Sequence, residues 1–244
     1  MHALTLLFLV ALASHAVVQL WLARRQIMFV ASHATTVPAG FAAVISPAEH
    51  AKAAAYTAAK QRLGMVETAY DVLITLGLTL GGGIAVVGAW STQATASPLL
   101  SGTLHVLGVL AVVALLGLPF SIYRTFVQEQ RFGFNRTRAA VFVTDQLKGW
   151  TLGLILGGAV AAGVLWIMAT AGAWWWLAGW VAWLSFSLLV TWAWPRLIAP
   201  MFNKFSPLED AELRRRIDAL LDRCDFHAKS VFVMDGSRRS SHGN

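Results

Sequence analysis

Five apolar stretches of about twenty residues each, at positions 3–22, 70–90, 99–120, 150–169 and 174–194, dominate the 244-residue chain. A helix of about 20 apolar residues crosses roughly 30 Å of hydrocarbon, so each stretch is long enough to span a bilayer. In lipid a backbone must satisfy its own N–H and C=O groups, which makes a helical bundle the expected fold. The cations follow the same division. All 19 Lys and Arg lie in three of the six segments outside the stretches: five in 23–69, five in 121–149 and nine after 194. Segments 1–2, 91–98 and 170–173 carry none. Short loops rich in Lys and Arg stay cytoplasmic, so the expected topology has the N-terminus outside and the tail after Trp194 in the cytoplasm.

Composition narrows the class further. Hydrophobic residues make up 57% of the chain and charged residues 13%, whereas soluble domains stay near half and a quarter. The net charge of +7 is accounted for by topology and by anionic lipid on the inner leaflet. No basic face on a soluble fold is indicated, so nucleic acid is not an expected partner and the bilayer is. The single cysteine, Cys224, allows no intrachain disulfide and fits a reducing compartment. The first stretch is not patterned as a cleaved signal. Its charges, Arg24 and Arg25, follow the apolar run instead of preceding it.

Tryptophans mark the span boundaries at Trp21, Trp90, Trp150, Trp174–Trp176, Trp192 and Trp194, as expected of indoles at headgroup level. Trp166, Trp180 and Trp183 fall mid-span and read as packing residues. Glycines cluster within the second and fourth spans, and Gly153 and Gly157 have the four-residue spacing that lets helices approach closely. In the first cytoplasmic segment, Ser46-Pro47-Ala48-Glu49 predicts a capped helix running to Leu63, with Gly64 as a break before the second span. Ser206-Pro207-Leu208-Glu209 repeats the device in the tail, ahead of an amphipathic helix with Leu213, Ile217, Leu220, Leu221 and Cys224 on one face. Residues 230–234 (SVFVM) read as a short strand and Asp235-Gly236 as a turn. The expected fold class is therefore an all-α membrane protein. It comprises a bundle of five transmembrane helices with cytoplasmic amphipathic helices and a short incomplete α/β C-terminal tail, divided as a membrane domain over 1–199 and a tail over 200–244.

Chemistry-bearing motifs are sparse. None of the seven histidines is followed by Glu, so no H-E-x-x-H zinc helix exists, and there is no G-x-S-x-G elbow or phosphate loop. His15 and His105 lie within spans, where ionisable groups raise functional hypotheses. The simpler reading is that a neighbouring helix satisfies them, and Asp71 reads as an interfacial anchor. No catalytic or metal-binding residue is expected in this chain.

Several local patterns are too specific for generic membrane sequence: FVQEQRFGFNRTR over 126–138, PMFNKFSPLEDAELRRRID from Pro200, and VFVMDGSRRSSHGN from Val231. With RQIMFV from Arg25 and VPAGF from Val37, they resemble the integral-membrane CAAX prenyl endopeptidases of type I. The resemblance implies a zinc metalloendopeptidase whose membrane helices enclose a hydrophilic chamber capped by the protease fold. It also implies a peptide substrate that is prenylated or otherwise membrane-associated. On that resemblance Asn244 and His242 would belong to an edge where an extended substrate adds by β-pairing. The zinc ligands of such an enzyme would lie in sequence this chain does not contain. The expectation is the N-terminal membrane domain of such a protease, truncated before the zinc site and inactive alone, with zinc a cofactor of the intact protein only. A half-protein that docks a separately made catalytic half is the alternative, and a transporter is a weaker one. The expected location is a bacterial inner membrane or the endoplasmic reticulum, crossed several times.

Overall fold

A computed structural model describes residues 2–226, 228 and 230–235, which form two compact units dividing between Asn135 and Arg136. In the first unit, helices α1 (Ala3–Ser32), α2 (Pro47–Thr79), α3 (Gly83–Ala94) and α4 (Pro98–Tyr123) follow one another. Helix α4 continues through a π-helical turn, Arg124–Gln128, into a last helical turn, Glu129–Arg131. Helix α1 packs on α2, and α3 on α4. Four helical stretches of the chain are long and apolar enough to cross a membrane: Ala3–Ser32, Pro98–Arg131, Ala139–Thr170 and Gly172–Phe202. The bent pair of α2 and α3 passes the same test together and counts as a fifth when taken as one broken span.

The Ser46 cap forms as the sequence predicts. Its Oγ accepts from the Glu49 N–H at 3.2 Å, and the Glu49 carboxylate accepts from the Ser46 N–H at 2.9 Å. The break does not fall at Gly64. Helix α2 runs straight through it because Lys60, Gln61, Leu63 and Met65 are strong helix formers, and one glycine costs only about 1 kcal/mol. The chain turns instead at Leu80-Gly81-Gly82, inside the predicted second span, and α3 leaves at 51°. Gly82 sits at φ +79°, a left-handed conformation open to a residue without a Cβ. The N–H groups of Leu80 and Gly81 both return to the Leu76 carbonyl, at 2.9 and 2.8 Å.

Close helix approach falls at other glycines of the first unit, and Gly153 takes no part in one. A Cβ on Gly77, Gly153 or Gly163 would meet nothing within 4 Å. On Gly108 it would lie 2.7 Å from Val87 Cγ1, and on Gly88 3.1 Å from the His105 ring. Small residues thus line the α3–α4 contact, where Ser91 and Ser101 are buried with their hydroxyls 3.5 Å apart. Helices in lipid lack a hydrophobic force between them and hold together through such close packing. The large apolar side chains point outward, among them Leu110, Leu188, Trp166, Trp180 and Trp183, so the three mid-span tryptophans are not interior packing residues. Lipid is the solvent that surface requires.

The second unit contains α5 (Ala139–Thr170), a 3-10 turn at Gly172–Trp174, and α6 (Trp175–Ala193). Another π-helical turn, Trp194–Ile198, leads to a short helix at Ala199–Phe202. Strand β1 (Phe205–Pro207), α7 (Ala211–Arg223) and β2 (Phe232–Met234) follow. The strand predicted near Val231 has a partner: β2 pairs antiparallel with β1, Phe205 opposite Met234 and Pro207 opposite Phe232. This ladder corrects the tail reading, because Ser206 and Pro207 are strand residues and not a cap. Asp210 caps α7 in their place, its carboxylate accepting from the N–H groups of Glu212 and Leu213 at 2.9 and 3.0 Å. Asp210→Ala should therefore destabilise α7 by about 1 kcal/mol, speeding amide hydrogen exchange there about fivefold. Ser206→Ala should leave exchange in α7 unchanged, and equal acceleration by both variants would reassign the cap.

Candidate functional site

The motif at 126–138 closes α4 and builds the most specific polar arrangement of the first unit. The π-helical turn widens the helix by one residue, and the chain caps itself at Gly133, φ +77°. The Phe134 and Asn135 N–H groups both reach back to the Glu129 carbonyl, at 2.9 and 3.3 Å, and Asn135 Nδ2 donates to Gln130 Oε1 at 3.1 Å. Helix α2 supplies the facing side. Tyr56 Oη donates to Glu129 Oε1 at 2.5 Å, and Phe132 and Phe134 meet the Tyr56 ring edge-on, with centroids 5.2 and 5.0 Å away. Lys52 Nζ lies over the Phe134 ring at 5.2 Å. One turn beyond, Arg124 Nη2 donates to Glu67 Oε1 at 2.6 Å.

Burial, and then the Glu129 carboxylate beside it, push the Tyr56 phenol up to about 12. Tyr56 precedes the apolar run at 70–90, so the group is outside the spanning part of α2. Gln128 is 95% removed from solvent, and its Oε1 has no hydrogen-bond partner. Neither Tyr56 nor Glu67 stands out in the sequence. The only signal is a tyrosine and a glutamate breaking an Ala-rich helix 73 and 57 residues from their partners.

The histidines within spans take structural positions. His105 Nε2 donates to the Ile84 carbonyl of α3 at 3.1 Å, while His15 and Asp71 are exposed on the protein surface. At the α1–α2 connection, His50 Nε2 donates to the His33 carbonyl at 2.9 Å. His242 and Asn244, the residues assigned to a substrate edge, lie outside the described residues. Among the described residues no three of His, Cys, Asp and Glu converge as a metal site. The donor set therefore does not fit zinc, and no step through zinc is derived for this chain.

These features define a class: a multi-pass integral membrane protein whose helices lead into a short two-stranded antiparallel sheet and an amphipathic helix. Comparison with known proteins is specific. A family model described as CAAX prenyl protease N-terminal, five membrane helices, matches residues 26–204. The CAAX prenyl protease 1 homolog of Arabidopsis thaliana is 35% identical over 218 residues, covering 86% of this chain and 51% of that relative. CAAX prenyl protease 1 of Saccharomyces cerevisiae is 40% identical over 142 residues, covering 57% of this chain and 31% of that relative. The crystal structure of S. mikatae Ste24p superimposes with a TM-score of 0.90 at 27% identity, covering 100% of this chain and 58% of that one. The chain belongs to the CAAX prenyl protease family and corresponds to its N-terminal membrane portion. It spans about half the length of the curated relatives it matches.

Proposed function

We propose that this chain is the membrane-embedding portion of a zinc endopeptidase that hydrolyses a peptide bond in a prenylated or other membrane-associated substrate. The observation that carries the reading is the family match over 26–204, which takes in the second to fifth crossings and the last seven residues of the first helix. In this reading residues 1–199 form the membrane domain, and 200–244 begin a cytoplasmic protease domain whose zinc ligands come from further sequence. The end of the match at residue 204 and the first strand at Phe205 support that division. His242 and Asn244 contribute to the edge that receives extended substrate. The N-terminus is outside and the tail cytoplasmic, supported by the confinement of all Lys and Arg to alternate segments.

The exposed apolar residues Leu213 and Leu220 on α7 favour a second use of the same tail, docking a separately made catalytic half. Reconstitution tests both readings. The purified chain alone should hold no stoichiometric zinc and leave a farnesylated reporter peptide uncut. Joining or mixing it with the remaining half of a close relative, bearing H-E-x-x-H, should restore cleavage that EDTA abolishes. Covalent fusion as a requirement would support one polypeptide, and activity on mixing would support docking. EDTA-sensitive cleavage by the unaided chain would overturn the proposal, as would a fused protein that folds and binds zinc yet leaves the reporter uncut.

A further inference from the structure

A recess of about 590 Å³ opens in the first unit between α2 and the end of α4. Its wall is apolar where α4 is still within its apolar run, at Pro119 and Phe120, and becomes mixed at Tyr123. Past that level Gln128, Arg62 and Arg131 join Val127 and Phe132 in lining it, with the Arg131 guanidinium over the Phe132 ring at 5.8 Å. Both arginines are exposed, and neither has an ion-pair partner among the described residues. Arg124, the neighbouring cation, is already committed to Glu67 and does not line the recess. The buried Gln128 carboxamide, with its Oε1 unpartnered, faces the same space. A buried acceptor left unpaired costs free energy, and a ligand hydroxyl that donates to it removes that cost.

Apolar wall, two guanidinium groups without an ion pair and a carboxamide with an unpartnered oxygen follow one another along one groove, in the order that a lipid molecule presents its parts. We propose that this recess is a binding site for an anionic phospholipid: an acyl chain lies along Pro119 and Phe120, and the phosphate sits between Arg62 and Arg131. The buried Gln128 Oε1 accepts from a hydroxyl of the headgroup. Arginine suits the role because its planar fork of donors matches phosphate oxygens in pairs. The occupant is a lipid and not a free anion, because the wall beneath the two arginines is apolar. This site stands apart from the proteolytic reading and makes no use of zinc or peptide.

Lipid retention measured by native mass spectrometry on the full chain tests it, with the chain released from nanodiscs of equal phosphatidylglycerol and phosphatidylcholine. The chain should retain phosphatidylglycerol in preference, and the double substitution Arg62→Gln, Arg131→Gln should cut that preference about tenfold. Arg24→Gln, Arg25→Gln removes the same charge from the segment that also holds Arg62 and should leave the preference unchanged. Equal losses in the two double variants, or none in either, would show surface electrostatics without a site and overturn the proposal. Displacement of the lipid by millimolar inorganic phosphate would likewise overturn it in favour of a free anion. Circular dichroism and thermal unfolding of each variant check that helix content is retained, and both substituted pairs are exposed.

Discussion

Gly108→Ala is expected to destabilise the α3–α4 pair by about 1–3 kcal/mol, read as a lower unfolding midpoint in detergent. The added methyl would stand 2.7 Å from Val87 Cγ1 and 3.8 Å from the Trp90 ring, where no real Cβ contact that short exists and a branched valine cannot swing away. Removing the opposing methyls should therefore rescue it: Val87→Ala combined with Gly108→Ala should be markedly more stable than Gly108→Ala alone. The comparison variant is Gly153→Ala. A methyl there meets nothing within 4 Å, so the change should be neutral or stabilising by up to about 1 kcal/mol through helix propensity. If the two substitutions cost the same, close approach at Gly108 is not what holds these helices together. Gly88 is the milder case, because the His105 ring it would press at 3.1 Å is anchored to α3 by one hydrogen bond and can give by a few tenths of an ångström.

Tyr56→Phe should lower stability by about 1–2 kcal/mol, since it removes a hydrogen bond to a carboxylate that is partly screened by solvent. Alkaline pH provides the sharper reading. The folded phenol titrates near 12 against an ordinary 10.0, chiefly because of burial and then because Glu129 accepts its proton and repels the phenolate. The folded state thus binds this proton more tightly than the unfolded state. Its stabilising contribution is complete below pH 10, declines as pH rises above it, and is gone above about 12. Arg124 works the other way by favouring the phenolate, though as the smallest of the causes. Unfolding midpoints of the parent and Tyr56→Phe should converge between pH 10 and 12. A gap unchanged across that interval would mean that the hydroxyl does not titrate in contact with Glu129.

The parts of this fold legible in the sequence are those that lipid or local chemistry dictates. Hydrocarbon forces an apolar stretch to be helical, so the crossings follow from hydropathy. The Ser46–Glu49 box closes within one turn and needs no distant partner. The misread positions are those decided by competition or by distant contacts. Gly64 and Gly82 are the same residue type, but Gly82 follows another glycine and Gly64 is surrounded by strong helix formers. Ser206 lost its capping role because Val233 pairs with it across the ladder, leaving Asp210 to receive the helix N–H groups. Tyr56 and Glu129 carry no local sign of one another. The motif around Glu129 could be named in the sequence by its resemblance to a protease family, whereas its physical work, clamping the end of α4 to α2, required coordinates.

Both π-helical turns make the register of the helix a quantity that side-chain substitution cannot adjust. A π-helical turn holds one residue more than an α-helical turn, so each rotates everything after it by roughly 100° relative to an uninterrupted helix. Deleting Thr125 from this turn would keep the side chains of Arg124, Gln128 and Glu129 in the sequence yet swing Glu129 and Phe134 away from Tyr56. The same deletion in 194–198 would turn the short helix before β1 and carry the Met201 carbonyl away from Lys148, which now donates to it at 2.7 Å. Counting residues through these two turns is therefore as stringent a constraint as choosing them, and spacing errors there would outweigh most point changes.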